Sequence, residues 1–158
     1  MPEQFQELKD TRQTAVDLVK KRTIEVGMTD FDGKHEYRLF DRKISIVDVF
    51  GTLDENRFMI NQNGKQIQVS KEFLRQYHKK YQPDWYLETE RAKQEAKERK
   101  IEDWTTLAKI KPRPLPGELV SLVGEMYAAA SDRYTDLGLF KRARPLEQVM
   151  EDLIPWME

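Results

Sequence analysis

The sequence predicts an α+β protein. A small antiparallel β-sheet, or an SH3- or OB-like barrel, is expected over about residues 23–69, flanked by an N-terminal helix and followed by several helices. Three observations carry this expectation. Apolar residues recur at helical spacing up to residue 22, the period shortens to two between residues 23 and 69, and helical spacing returns beyond Ser70.

The first helix is read from Phe5, Leu8, Ala15, Val16 and Val19, one apolar stripe over residues 3–22. Lys20, Lys21 and Arg22 suit the negative end of its dipole. In the next stretch Ile24, Val26 and Met28 alternate with Thr23, Glu25 and Gly27, and Tyr37 and Leu39 alternate with Glu36 and Arg38. Turn signals at Asp32-Gly33, Asp41-Arg42, Asp54-Glu55-Asn56 and Asn63-Gly64 separate about five short strands. The longest is expected over Lys43 to Phe50, and Asn63-Gly64 predicts a hairpin joining Phe58-Met59-Ile60 to Ile67-Gln68-Val69.

Ser70 suits the N-cap of a helix carrying Phe73, Leu74, Tyr77 and Tyr81, which Pro83 ends. A second helix starts near Asp84. Between Leu87 and Ile101 its only apolar residues are Ala92 and Ala96, which predicts a solvated helix held by charge pairs. The alternating prolines of Lys111-Pro112-Arg113-Pro114-Leu115-Pro116-Gly117 remove donors and force extended backbone. Beyond them Leu119, Leu122, Val123, Met126, Tyr127, Ala130, Tyr134 and Leu137 form one helical stripe. Leu146, Val149, Met150, Leu153 and Ile154 form another after Pro145, and the two are expected to pack as a hairpin. The expected organisation is a helix, β-module and following helix over 1–82, a charged helical extension over 83–111, a proline-rich linker over 112–117 and a helical hairpin over 118–158.

The 27 basic and 28 acidic residues nearly cancel, so no global field steers the chain toward nucleic acid or an anionic membrane. Without Cys there is no disulfide scaffold, thiolate zinc site or cysteine nucleophile, and a cytoplasmic setting is expected. No stretch reads as a signal peptide or a membrane span. Gly27 to Lys34 has the wrong inter-glycine spacing for a phosphate loop, and His35 stands where such a loop needs Ser or Thr. Asp30, Asp32, His35 and Glu36 gather metal-type donors but fail the EF-hand spacing, so they are read as an acidic turn. Glu118, Glu125, Asp132 and Asp136 follow one line of the 119–137 helix and are read as its solvated flank. No cofactor and no metal is expected.

Two features are candidate contacts for a partner. Tyr77, Tyr81 and Trp85 continue an aromatic stripe from Phe73, with core packing as the alternative. Lys141, Arg142 and Arg144 form a basic cluster ahead of the apolar face of Leu146, Met150 and Leu153. With no catalytic constellation visible, the leading expectation is a non-enzymatic protein-interaction module, an accessory, inhibitory or assembly subunit of a larger complex. A protein partner is expected, a homo-oligomer is allowed and a membrane is not. The alternatives are a nucleic-acid-binding module using its β-surface and basic clusters, and an enzyme whose site is assembled from unremarkable residues.

Overall fold

The computed structural model describes residues 2–157. Helix α1 spans Pro2–Glu25. It buries Ala15, Val19 and Thr23, one per turn, and this i, i+4, i+8 row carries the helix past the expected stop at residue 22. Ile24 therefore faces solvent at the end of a helix instead of opening a strand. Its twenty-four residues extend about 36 Å; near its start Glu7 accepts from the Ile44 N–H at 3.3 Å, while Phe5 stays exposed.

Gly27, at φ +67°, turns the chain into β1 (Met28–Gly33). Strands β4 (Asn56–Gln62) and β5 (Lys65–Gln68) complete an antiparallel sheet of order β1-β4-β5. Strands β2 (Tyr37–Phe40) and β3 (Lys43–Ile46) form a separate two-stranded sheet. Both hairpins turn on two residues of positive φ, Asp41-Arg42 and Asn63-Gly64, the backbone hand that matches strand twist. The α+β class stands, but no barrel closes among the described residues. The physical reason is strand length. β3 stops at Ile46, one further bond runs from the Val47 N–H to the Glu36 carbonyl at 3.1 Å, and among the described residues no strand pairing joins the two sheets.

Helix α2 (Glu72–Tyr81) begins after Ser70, whose hydroxyl accepts from the Glu72 N–H at 3.4 Å. Pro83 opens α3 (Pro83–Arg99) at the position where a missing N–H costs nothing. Ala92 and Ala96 are buried, which corrects the expectation of a fully solvated helix. The chain folds back after Lys100, and the 3-10 turn Trp104–Leu107 packs along α3. Arg91 fixes it by donating to the Leu107 carbonyl at 2.8 Å, and Glu88 accepts from the Lys109 N–H at 2.7 Å. The proline segment is tied as well. Buried Gln82 accepts from the Arg113 N–H at 2.8 Å and donates to the Arg113 carbonyl at 3.1 Å.

Helices α4 (Gly117–Thr135) and α5 (Leu146–Leu153) pack together as expected, with Asp136 rather than Gly138 in the left-handed cap position of α4. One core joins Val19 of α1, Phe58 and Ile60 of β4, Phe73 of α2, Leu119 and Met126 of α4, and Met150 and Leu153 of α5. None of the described helices is long and apolar enough to cross a membrane.

Candidate functional site

A polar cleft of about 390 Å³ lies between α1, β1 and the start of β4. Arg12, Val16 and Lys20 reach it from one face of α1, because residues four apart on a helix project to the same side. Asp30, Phe31 and Asp32 enter from β1, His35 and Tyr37 from the connection into β2, and Asn56 from β4.

Asn56 organises its floor. Its amide donates to the Asp30 carboxylate at 2.9 Å, and its carbonyl oxygen accepts from the Gly51 N–H at 3.0 Å. The side chain is buried with both ends satisfied, so it joins β1 to the loop that precedes β4. Gly33 is required beside it, since a Cβ there would come within 2.3 Å of the Asn56 amide nitrogen. Asp32 receives two hydrogen bonds from the Arg57 guanidinium, one from Nε at 2.5 Å. Those bonds hold its carboxyl below the usual range, against a smaller opposing effect of burial. At the far wall the His35 ring lies edge-on to Phe50 and Tyr37, with the Tyr37 hydroxyl 3.4 Å from Nδ1. Burial raises the Tyr37 phenol, and the charge of Arg12 partly offsets it. Among the described residues no group of three or more His, Asp or Glu side chains is arranged to hold a metal ion.

The residues singled out for partner contact lie elsewhere. Tyr77 is buried against Tyr81 and Trp156, while Tyr81 reaches the surface and Trp85 packs over His78. Leu146, Met150 and Leu153 belong to the core. Arg144 is clamped by Glu125 and Asp152, whereas Lys141 and Arg142 are exposed. Asp30, Asp32 and His35, weighed as metal donors, do converge on the cleft. Arg12, Lys20 and Asn56 were missed, because each looks like an ordinary surface or turn residue until three elements bring them together.

The SAICAR synthetase family model matches residues 1–92 of the 158, more than half of the chain. The chain belongs to the SAICAR synthetase family. A protein of Archaeoglobus fulgidus, named provisionally as phosphoribosylaminoimidazole-succinocarboxamide synthase, is 31% identical over 152 residues, which is 96% of this chain and 42% of that protein. The phosphoribosylaminoimidazole-succinocarboxamide synthase of Thermoplasma volcanium is 44% identical over 57 residues, 34% of this chain and 19% of the relative. That of Thermoplasma acidophilum is 33% identical over 81 residues, 49% and 28% respectively. This SAICAR synthetase family chain thus spans less than half the length of the curated relatives it matches. No solved structure matches it. Membership overturns the expectation of a non-enzymatic accessory module. That expectation rested on the lack of a compact catalytic motif in the sequence, a lack that does not exclude an enzyme.

Proposed function

We propose that the chain contributes the α1–β1–β4 cleft to an enzyme of the phosphoribosylaminoimidazole-succinocarboxamide synthase type. The observation that carries this reading is position. Every residue lining the cleft lies between 12 and 56, inside the segment matched by the family. The cleft supplies what a polar small molecule needs: amide and imidazole hydrogen-bonding groups, cations, and walls that are folded before a ligand arrives. A reducing cytoplasm suits a chain that contains no Cys. The exposed apolar side chains Leu39, Phe40, Val47 and Val49 support a neighbouring polypeptide, another copy of this chain included. Tyr81, Lys141 and Arg142 are the exposed members of the set read as partner contacts.

The test is calorimetric titration of the purified chain with phosphoribosylaminoimidazole-succinocarboxamide. Saturable binding that Asn56→Ala weakens is the expected result. A folded chain that takes up no heat at millimolar ligand would sink the reading.

A further inference from the structure

Strand β5 is an edge of its sheet, since the order is β1-β4-β5. Its hairpin fixes which groups that edge exposes. The two-residue turn Asn63-Gly64 closes on Gln62 and Lys65, and the pair that closes such a turn exchanges its backbone bonds. The alternation runs on through Ile60 with Ile67 to Phe58 with Val69, whose N–H donates to the Phe58 carbonyl at 2.9 Å. Residues 65, 67 and 69 therefore turn their N–H and C=O groups toward β4, and Gln66 and Gln68 turn theirs outward. Among the described residues no other element's backbone pairs with Gln66 or Gln68. The usual protections of an open edge are missing too. β5 reads Lys-Gln-Ile-Gln, with no proline, no bulge against β4 and its one charge at the start. Beside the edge lies a hollow of about 460 Å³, to which Ile67, Ile154 and Met157 give an apolar wall. Ile67 stands opposite Ile60 on the core-facing side of the sheet, where Ile154 and Met157 also pack.

We infer that β5 is an interface between two copies of this chain, paired antiparallel about a two-fold axis at Ile67, so that the three-stranded sheet continues into its twin. The strand is complementary to itself. With Ile67 opposite Ile67, Gln66 of each copy stands opposite Gln68 of the other, and each of these pairs exchanges both of its outward backbone bonds. The axis isoleucine of one copy then lies at the hollow walled by Ile154 and Met157 of the other. Gln68 Oε1 is buried without a hydrogen-bond partner, and the register sets the Gln66 amide of the second copy directly across from it on the same face. Lys65 falls opposite Val69 and stands about 13 Å along the strand from its twin, beyond the reach of about 8 Å that salt leaves to exposed charges. A foreign strand would satisfy the backbone, but a second copy also supplies the uncharged centre and the Gln66 amide, and it does so at both ends, as an isologous contact requires. Nothing in this pairing depends on what the cleft binds.

Sedimentation equilibrium of the whole chain should show a concentration-dependent dimer. Gln66→Pro removes an outward N–H that the β4–β5 ladder does not use, so the monomer should keep its circular dichroism. The dimer should meanwhile dissociate at least about tenfold more readily, because each copy loses one donor. Covalent trapping then locates the axis in a chain that has no Cys of its own. Ile67→Cys places two thiols on a non-hydrogen-bonded pair, with Cα atoms about 4.5 Å apart, a separation that a disulfide spans, so mild oxidation should yield a linked dimer. Gln66→Cys sets its twins about 8 Å apart, too far to bridge, and should stay unlinked. A chain that is monomeric at millimolar concentration, a dimer that Gln66→Pro leaves equally tight, or cross-linking of Gln66→Cys as fast as that of Ile67→Cys would overturn the inference. If Gln66→Pro does not fold, the two Cys variants decide the matter between them.

Discussion

Asn56 meets Gly33, Asp30 and Gly51 within one buried contact, so its environment can be taken apart one substitution at a time. Asn56→Ala strands the Gly51 N–H away from water and should cost about 1–3 kcal/mol, the usual penalty for an orphaned buried donor. Gly33→Ala attacks the same contact from the other side, by pushing the Asn56 amide out of place. Because both act on one contact, their effects on denaturant midpoint should be less than additive, and a double-mutant cycle that sums cleanly would refute the shared mechanism. Asp32 yields a pH prediction. Its folded-state pKa is depressed by Arg57, so its contribution is present above the unfolded value of about 3.9 and is lost as pH falls through the folded value. The side chain is half exposed, which keeps the effect small. Arg57→Leu should therefore flatten the dependence of melting temperature on pH below about 4, and an unchanged slope would show that Asp32 is not its source.

At the scale of elements, α3 and the segment folded over it differ most from what the pattern of residues suggests. Two alanines among charges read as a solvated face, yet the 3-10 turn at Trp104–Leu107 covers them. Ala92→Glu should consequently unfold this region or cost several kcal/mol, about 3 or more, because it forces a charge into a closed contact. A melting temperature within a degree of wild type would disprove the packing. Glu88 should add an acid sensitivity of its own. Hydrogen bonds from Arg91 and from the Lys109 N–H pull its carboxyl down to about 2, so its grip on the segment holds above the ordinary carboxylate range and is lost toward that value. Amide exchange at residues 101–109 should accelerate between pH 4 and 2, roughly the interval between the free and bound carboxyl pKa values. Hairpins such as Asn63-Gly64, and the stripes of α4 and α5, were legible because their signals lie within one turn or one helix. The covering of Ala92 and the convergence of Arg12, Asp30 and Asn56 were not, since local periodicity cannot say which element folds back over which.

For the molecule as a whole, the core residues of α1, α2, α4, α5 and the β1-β4-β5 sheet form a single cluster, so the last helix is structural. Leu153 is completely buried, and Leu153→Ala should cost about 2–5 kcal/mol. The loss should appear in one cooperative transition monitored alike by near- and far-ultraviolet circular dichroism. Two separated transitions would mean that α4 and α5 melt independently of the sheet.

The amide of Gln82 presents a donor and an acceptor to the backbone of residue 113, as a neighbouring strand would. Of the segment Pro112-Arg113-Pro114, only the middle residue owns an N–H, so the spelling of this stretch has a fixed phase. Moving the prolines by one place would keep composition, length and extended backbone, yet present Gln82 with a residue that has nothing to donate. The stretch therefore has a reading frame: the Gln82 pairing closes position 113 to proline, whereas its two neighbours are prolines already.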